Sequence, residues 1–330
     1  MRVTVFDTHS FDKDALTAAN AGRHELHFIE ARLTESTVNL AKDAEVVCCF
    51  VNDRLNATVI YALKNLGVKL IALRSAGFNH VDMKAAHECH IPVVRVPEYS
   101  PHAVAEHAVT LLMTLNRKTH KANNRVRECN FSLDGLVGFD LYQKTVGVIG
   151  TGRIGKVFAQ IMRGFEANVV AFDRDPDIEW ANTNRVRFVS LEELLITSDV
   201  ISLHVPLNDG TLHLLNEKAF AVMKKTVILV NTGRGALIDT KALIVALKKK
   251  SIGGACLDVY EEEEGVFFSD FSLVGIDDDI LARLMTFPNV LITSHQAFLT
   301  HEALRNIAET TLNSVNSFET KHELGAVLIR

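Results

Sequence analysis

The sequence has few of the features that mark membrane, secreted or nucleic-acid-binding proteins. No stretch approaches the ~18 consecutive apolar residues of a membrane-spanning helix, so we expect no membrane span. Residues 2–6 are strand-like and show no signal-peptide pattern, and we therefore expect a cytoplasmic location. The formal net charge is −5 and no basic stripe occurs, which argues against nucleic acid as the main partner.

Cysteine and histidine show no spacing typical of a disulfide framework or a metal site. The cysteines are odd in number and none belongs to a CxxC pair; they are Cys48, Cys49, Cys89, Cys129 and Cys256. We predict that they are buried, reduced thiols, as in most cytosolic proteins. The 14 histidines are scattered along the chain, so we expect no metal in the site.

Short apolar segments and amphipathic segments alternate along the chain. At 330 residues, with 48% hydrophobic and 23% charged residues, the composition is that of an ordinary globular protein with about two domains. Alternation of this kind predicts parallel βαβ units. The strands predicted in the first hundred residues are 3–6, 26–29, 46–51, 70–74 and 92–96.

Three amphipathic segments outside the central motifs are predicted to be helices. The first covers residues 56–66 and closes at Gly67. A long helix is predicted from about residue 101 to residue 127. Residues 300–319 also have helical spacing, and the pattern alone does not assign them to either domain.

A glycine-rich turn in the middle of the chain has the context of a dinucleotide-binding fingerprint. A predicted strand at residues 144–149 precedes Gly150-Thr151-Gly152-Arg153-Ile154-Gly155, and a helical segment follows. A second predicted strand, residues 167–172, ends at Asp173, which is 18 residues after Gly155 (173 − 155). A helix N-terminus there can receive a pyrophosphate, and an acid about 20 residues further on can bind ribose hydroxyls. The segment therefore predicts a dinucleotide cofactor.

Four apolar segments in the second half each end in a polar residue. They are residues 198–203 before His204, 226–231 before Thr232-Gly233-Arg234, 254–260 before the run Glu261 to Glu264, and 289–294 before His295. Ligands of open α/β sheets bind outside the carboxyl ends of parallel strands, so we expect these residues to converge. An arginine, a glutamate and a histidine together can hold a carboxylate, orient an imidazole and transfer a proton. The combination predicts an active site for a 2-oxo acid.

Together these motifs resemble those of the D-isomer-specific 2-hydroxyacid dehydrogenases over nearly the whole chain. The strongest matches are Gly150-Thr151-Gly152-Arg153-Ile154-Gly155, Asn231-Thr232-Gly233-Arg234-Gly235-Ala236-Leu237-Ile238-Asp239, Leu257-Asp258-Val259-Tyr260-Glu261-Glu262-Glu263 and Ser294-His295-Gln296-Ala297-Phe298-Leu299-Thr300. Three segments resemble the branch of the family that acts on D-lactate: Ser75-Ala76-Gly77-Phe78-Asn79, Val96-Pro97-Glu98-Tyr99-Ser100-Pro101 and Val266-Phe267-Phe268. The resemblance implies an NAD-dependent enzyme that reversibly reduces pyruvate to D-lactate.

The resemblance also implies an α/β architecture of two Rossmann-like, doubly wound parallel-sheet domains with a cleft between them. Residues 1–100 plus 299–330 would form the substrate domain, and residues 101–298 the dinucleotide-binding domain. A homodimer or homotetramer built on the dinucleotide-binding domain is implied, with a 2-oxo or 2-hydroxy acid as the small-molecule partner.

Three residues carry the chemistry that the resemblance implies. Arg234 would clamp the substrate carboxylate, because a guanidinium matches it bidentately and stays charged. His295 would give a proton to the developing alkoxide in reduction and take it back in oxidation. Glu263 would pair with this histidine and favour imidazolium. The family spacing Asp-Val-Tyr-Glu-x-Glu selects Glu263 from the four glutamates, with Glu261 as the alternative.

The resemblance assigns further residues to the two ligands. Substrate contacts are implied for Val51, Gly77, Phe78, Tyr99 and Phe298. Contacts with NAD are implied for Gly150, Gly152, Arg153, Ile154, Gly155, Asp173, His204, Val205, Pro206, Thr211, Thr232, Gly233 and Asp258. For His204 we expect the backbone to line the cofactor, and a packing role for its side chain is equally open. Tyr99 and Phe298 have core packing as their alternative role.

Two other functions stay open at this point. One is a dehydrogenase for another D-2-hydroxy acid, such as a branched-chain acid, glycerate or phosphoglycerate. The other is an NAD-sensing, corepressor-like protein that binds partners and has no need of turnover. Oxidation of NADH on addition of pyruvate separates these possibilities.

Overall fold

The computed structural model describes residues 1–329, which divide into two compact α/β units. The first unit consists of Met1–Ser100 and the segment from Phe298 onward, and the second consists of Pro101–Ala297. The chain therefore leaves the first unit to build the second and then returns. Within the described residues, no helix is long and apolar enough to cross a membrane.

Strands and helices alternate along both units. The strands are β1 Arg2–Val5, β2 Glu25–Phe28, β3 Val46–Cys49, β4 Leu70–Leu73, β5 Val93–Val94, β6 Thr145–Ile149, β7 Asn168–Phe172, β8 Arg187–Phe188, β9 Val200–Leu203, β10 Ile228–Asn231, β11 Gly254–Leu257 and β12 Val290–Ile292. The helices are α1 Ser10–Asn20, α2 Ala57–Asn65, α3 Met83–Glu88, α4 Pro101–Arg117, α5 Thr119–Arg127, α6 Arg153–Gly164, α7 Ile178–Asn184, α8 Leu191–Thr197, α9 Glu217–Val222, α10 Thr240–Lys248, α11 Asp279–Met285 and α12 His301–Glu319.

The first unit is built on a five-stranded parallel sheet with the order β2-β1-β3-β4-β5. Both faces are covered, because successive residues of one strand enter different cores: Val47 packs into one and Val46 into the other. The strand order reverses between β1 and β3, and in open sheets such a switch point is where ligands bind. The loop after β3, which carries Val51, begins at that point.

Helix α12 completes the first unit. It packs against α1, and its Leu312 and Val315 enter the core that also holds Val46. The terminal ammonium group of Met1 lies 3.2 Å from Oε1 of Glu319 at the end of this helix. The segment that sequence spacing left unassigned therefore belongs to the first unit.

The second unit is built on a seven-stranded parallel sheet with the order β12-β11-β10-β9-β6-β7-β8. Its central strands are also buried on both faces; Leu229 and Val230 of β10, for example, point into different cores. The order reverses between β6 and β9, as in a dinucleotide-binding Rossmann fold. Two doubly wound parallel sheets confirm the predicted fold class.

The structure corrects several local predictions. The helix predicted for residues 101–127 is two helices, because Lys118 adopts a left-handed conformation with φ 51° and ends α4. The strands predicted at 46–51 and 254–260 end earlier, at Cys49 and Leu257. Of the cysteines, all free in the structure, Cys129 is exposed, while the other four are buried as predicted.

Candidate active site

The glycine-rich turn follows β6 and opens α6, and two of its glycines are required by close packing. Gly150 has φ 93°, and a Cβ atom there would lie 2.6 Å from the carbonyl oxygen of His204. A Cβ atom on Gly155 would lie 2.0 Å from the carbonyl oxygen of Gly150. At Gly152, the N-cap of α6, nothing lies within 4 Å of such an atom. The turn thus leaves open space beside the helix N-terminus, while Arg153 and Ile154 begin the helix.

Asp173 directly follows β7 and holds its carboxylate beside the glycine-rich turn. Its Oδ2 atom accepts hydrogen bonds from the backbone NH of Thr151, at 2.6 Å, and from the Thr151 hydroxyl, at 2.9 Å. Its Oδ1 atom accepts one from the backbone NH of Asp175 at 3.1 Å. Partial burial raises the pKa of Asp173, but these hydrogen bonds outweigh it and the net pKa is lowered. The side chain is therefore a carboxylate at neutral pH.

His204 follows β9 and has separate roles for its backbone and its side chain. Its carbonyl group faces Gly150, and its NH donates to the carbonyl of Ile149 at 2.7 Å. The ring packs 5.1 Å from the Phe158 ring, and Nε2 lies 2.9 Å from the hydroxyl of Ser202. Burial lowers the pKa of His204 to about 3, so the imidazole is neutral. The side chain is thus a packing element next to the glycine-rich turn.

The loop after His204 is closed by Thr211. The Thr211 hydroxyl donates to the carbonyl of Pro206 at 2.6 Å and accepts from the NH of Asn208 at 2.9 Å. Val205 lies against the turn, with its Cγ1 atom 2.7 Å from the position of a Cβ atom on Gly150. Val205, Pro206 and Thr211 thus form one compact loop beside the glycine-rich turn.

The side chain of Asn231, the last residue of β10, shapes the segment that carries Arg234. Its Oδ1 atom accepts from the NH of Gly233 at 3.0 Å, and its Nδ2 group donates to the carbonyl of Arg234 at 2.9 Å. Within the described residues, the hydroxyl of Thr232 is buried without a hydrogen-bond partner. An unpaired buried hydroxyl is costly unless a ligand satisfies it, so Thr232 marks a place where a polar group is expected.

Two glutamates of the acidic run after β11 contact two different histidines. Glu263 places Oε1 2.7 Å from Nδ1 of His295, and its Oε2 accepts from the NH of Tyr260 at 3.1 Å. Glu261 places Oε1 2.5 Å from Nε2 of His213, and its Oε2 accepts from the NH of Thr240 at 3.1 Å. The two carboxylates therefore have different partners, although only one residue separates them.

His295 lies beyond β12 in an uncommon backbone conformation. Its φ is 53°, a left-handed value that non-glycine residues adopt rarely and mostly at functional sites. The NH of His295 donates to the carbonyl of Asp258 at 2.7 Å, and the Phe268 ring lies 6.1 Å from the imidazole. Since Glu263 occupies Nδ1, the Nε2 atom is left to face a ligand; within the described residues it has no hydrogen bond.

Asp258 fixes the loop that carries His295. Its side chain is fully buried, and its carboxylate accepts from the Thr293 hydroxyl at 2.5 Å and from the NH groups of Gln296 at 2.9 Å and Ala297 at 2.8 Å. Nε2 of His107 on α4 lies 3.2 Å away. Burial raises the pKa of Asp258, but the hydrogen bonds from His107, Thr293 and Gln296 produce a net lowering. Asp258 thus positions the loop, and its contact with the cofactor stays a prediction.

The substrate contacts expected in the first unit lie on loops after consecutive strands and at the point where the chain re-enters the unit. Gly77 accepts a hydrogen bond from the Ser75 hydroxyl at 2.7 Å, and the guanidinium of Arg95 lies 5.2 Å from the Phe78 ring. Tyr99 uses its carbonyl to accept from Asn306 at 2.6 Å. The loops are therefore held by neighbouring side chains.

Phe298 is the centre of an aromatic cluster in the first unit. It is 8% exposed, and its ring lies 6.5 Å from Tyr99, 6.0 Å from Phe50 and 6.3 Å from Phe11. This packing agrees with the alternative role of Tyr99 and Phe298 as core aromatics. A substrate contact for either residue stays a prediction.

Asp53 anchors the loop that carries Val51. Its carboxylate accepts from the NH of Leu33 at 2.6 Å and from the NH of Phe50 at 2.7 Å, and it is 1% exposed. Burial raises the pKa of Asp53 to about 7, although these hydrogen bonds and the charge of Arg74 act in the opposite direction.

Sequence reasoning missed several residues that organise this site. His107, Thr293 and His213 belong to no motif, and only the fold brings them next to Asp258 and Glu261. The position of Thr293, two residues before His295, was the one available signal. Among residues 1–329, no three His, Cys, Asp or Glu side chains are grouped so that they could hold a metal ion.

Residues 109–297 match the sequence profile described as "D-isomer specific 2-hydroxyacid dehydrogenase, NAD binding domain". The chain belongs to this family. It is 51% identical to a 2-hydroxyacid dehydrogenase homolog of Zymomonas mobilis over 100% of both chains, and 50% identical to the D-lactate dehydrogenase of Escherichia coli over 97% of each. A solved structure titled "Identification of the pyruvate reductase of Chlamydomonas reinhardtii" superposes with a TM-score of 0.94 at 43% identity, covering 98% of both chains.

The family model confirms the predicted cofactor, NAD, and the enzyme class, an NAD-dependent D-2-hydroxyacid dehydrogenase. The geometry of the second unit fits this dinucleotide. The space beside Gly152 can take a pyrophosphate, the Asp173 carboxylate can accept from ribose hydroxyls, and the unpaired Thr232 hydroxyl can meet a polar group of the ligand.

Proposed function

We propose that this dehydrogenase reduces pyruvate to D-lactate with NADH, with His295 as the proton donor. The observation that carries the proposal is the 2.7 Å contact between His295 and Glu263. Arg234 follows a neighbouring strand of the same sheet. Arg234, the glutamates and His295 follow β10, β11 and β12, which are adjacent in the sheet. A carboxylate clamp and a proton donor at one sheet edge suit a substrate with a carboxylate next to a carbonyl.

Arg234 binds the substrate carboxylate in this mechanism. Its planar guanidinium is positively charged and offers two parallel N–H donors. Asn231 fixes the backbone on both sides of Arg234 and so fixes the point from which the Arg234 side chain extends. Because the carboxylate does not change during the reaction, this contact contributes equally to substrate and transition state.

His295 and Glu263 handle the proton. Nδ1 of His295 is committed to the carboxylate of Glu263, so Nε2–H is the donor toward the developing alkoxide. The carboxylate of Glu263 accepts from Nδ1–H of His295 and so fixes the plane of the ring. In the reverse direction the neutral imidazole takes the proton back. NADH, when bound, supplies the hydride.

The choice of pyruvate is supported by the relatives and by residue size. Two relatives at 43–50% identity carry the names pyruvate reductase and D-lactate dehydrogenase. We propose that Val51, Tyr99 and Phe298 restrict the carbon next to the carbonyl to a methyl group, and that amides near Gly77 and Phe78 add to carboxylate binding. The assignment of the first unit to substrate, a homodimer or homotetramer, and a cytoplasmic location are part of the same proposal.

The test is an assay of NADH oxidation with pyruvate, glyoxylate, hydroxypyruvate and 4-methyl-2-oxopentanoate. We expect pyruvate to have the highest kcat/KM, and the product to be oxidised by a D-lactate-specific enzyme but not by an L-specific one. His295→Gln protein, purified in the same way, is the control for contaminating activity. L-lactate as the product, or a higher kcat/KM for another oxo acid, would contradict the proposal.

A further inference from the structure

We propose that His213 and Glu261 form a second histidine–glutamate pair, which positions Arg234 for substrate binding and takes no part in proton transfer. The proposal rests on the function proposed above, in which Arg234 is the carboxylate clamp. The two glutamates then have different roles: Glu263 orients the proton donor His295, and Glu261 helps to position Arg234.

The His213–Glu261 contact is a charge-assisted hydrogen bond. Nε2 of His213 lies 2.5 Å from Oε1 of Glu261. Burial raises the pKa of Glu261, but the hydrogen bonds from His213 and Thr240 give a net lowering, so the side chain is a carboxylate. A carboxylate can only accept, and therefore the hydrogen must be on Nε2 of His213.

His213 is tied by its backbone to the turn that follows Arg234. Gly235–Leu237 form a single 3-10 turn directly after Arg234. The NH of His213 donates to the carbonyl of Ala236 at 2.8 Å, and the NH of Leu215 donates to the carbonyl of Leu237 at 3.0 Å. A shift of His213 would therefore be transmitted to the turn.

Glu261 lies against the same turn with its backbone and bonds to the start of the next helix with its side chain. Its Oε2 atom accepts from the NH of Thr240, the first residue of α10, at 3.1 Å. The backbone of Tyr260 and Glu261 lies so close to the turn that a Cβ atom on Gly235 would be 2.0 Å from the carbonyl carbon of Tyr260. The side-chain contact between His213 and Glu261 thus joins the two segments that enclose the turn after Arg234.

The pair should affect substrate affinity and little else. A bidentate guanidinium contact requires both donors to be aligned, and the loss of one such charge-assisted hydrogen bond weakens binding by roughly 10- to 100-fold. Because the clamp acts equally on substrate and transition state, a misplaced Arg234 raises KM and leaves kcat nearly unchanged. The side chains of His213 and Glu261 are 39% and 25% exposed, so the pair itself contributes little to stability.

The experiment compares His213→Ala, His213→Gln and Glu261→Gln with wild type. We expect His213→Ala to raise KM for pyruvate by roughly 10- to 100-fold, with kcat within about threefold and Kd for NADH unchanged. His213→Gln, which keeps an N–H donor of similar reach, should recover much of the loss. Combining His213→Ala with Glu261→Gln should raise KM little beyond the larger single effect, because both remove one interaction.

Arg187→Gln is the matched control, since it removes an exposed ion pair of the same unit, 2.7 Å to Glu193. A KM in His213→Ala no higher than in this control, or an equal loss in kcat, would overturn the positioning role. If His213→Ala does not fold, Glu261→Gln tests the same contact, and its KM for pyruvate should be raised above that of the control. Arg234→Lys separates the two proposals: an unchanged KM there refutes the clamp itself, whereas a raised KM there with unchanged KM in the His213 variants refutes the positioning role alone.

Discussion

Nδ1 of His295 lies 2.7 Å from Oε1 of Glu263, and the backbone of this histidine has φ 53°. A left-handed backbone at a residue with a Cβ atom costs about 1–3 kcal/mol and persists only where the surroundings impose it. Here Asp258 imposes it, because its carbonyl receives the NH of His295 and its carboxylate receives the next two NH groups. The imidazole is thus oriented from both its ring and its backbone.

The first prediction concerns the proton donor. His295→Gln should leave Kd for NADH within about twofold of wild type and reduce kcat by roughly 10²–10⁴-fold, the usual contribution of a general acid. Steady-state kinetics with pyruvate, together with quenching of NADH fluorescence for Kd, measure both quantities. A fall in kcat of less than about tenfold would remove His295 from this role.

The second prediction concerns the glutamate that serves His295. Glu263→Gln removes the carboxylate that accepts from Nδ1 of His295, so the imidazole loses its fixed orientation and kcat for pyruvate reduction should fall by roughly tenfold or more. Steady-state kinetics with pyruvate measure this fall. Glu261→Gln is the control and should keep the wild-type kcat, since its partner is His213. The opposite result in the two variants would transfer the role to Glu261.

The third prediction concerns cofactor choice. The ionised Asp173 should bind the adenosine ribose and repel a 2′-phosphate, so kcat/KM should be higher with NADH than with NADPH. Asp173→Ala should reduce this ratio by roughly tenfold or more, the value of a hydrogen bond to a charged group. Asp175→Ala, which changes an exposed neighbour, should leave the ratio unchanged. Equal kcat/KM values with both cofactors in wild type would contradict the assignment.

The fourth prediction concerns substrate size. We expect pyruvate to exceed 4-methyl-2-oxopentanoate by at least roughly tenfold in kcat/KM, because discrimination by added methylenes is worth ~1–3 kcal/mol each. Tyr99→Ala should shift the ratio toward the larger acid, whereas Tyr61→Ala, at an exposed position of α2, should not. Both ratios come from the same two-substrate assay. An unchanged ratio in Tyr99→Ala would leave Tyr99 as a core aromatic only.

The fifth prediction concerns stability and pH in the first unit. The pKa of Asp53 is raised from 3.8 to about 7, so the folded state binds its proton more tightly than the unfolded state. Its contribution to stability is therefore complete below about pH 4 and lost as pH rises through about 7. The Tm advantage of wild type over Asp53→Asn should shrink between about pH 5 and pH 8. Burial raises the pKa of Asp199, but Lys224 and the NH of Thr145 give a net lowering, so Asp199→Asn should show a constant difference over that range.

Much of this fold was predictable because its signals are local. Buried parallel strands appear as short apolar runs, and caps such as Asn56 and Thr300 begin helices where the sequence indicates. The missed features lack such signals. Strand β8 has only two residues at the sheet edge, and the break at Lys118 involves neither glycine nor proline.

The sequence could propose members of the candidate site, but it could not predict the contacts between them. Arg234, Glu263 and His295 could be named because each follows an apolar strand in a familiar motif. The pairing of Glu261 with His213 joins residues 48 positions apart. Likewise, Asp258 could be named as a site residue, but its burial and its hold on the His295 loop depend on α4 and β12. Spacing along the chain carries no information on such contacts.

The return of the chain into its first unit sets an order for assembly during synthesis. The second unit is one continuous stretch of chain, so all of it is synthesised before the last segment of the first unit. The first unit must wait, because α12 supplies part of its core and Leu328 pairs with Val94 at the sheet. During synthesis, the nucleotide-binding unit is therefore complete in sequence while the N-terminal unit still lacks α12. A truncation that removes only α12 should accordingly leave the N-terminal unit with an incomplete core, which chaperones and proteases recognise.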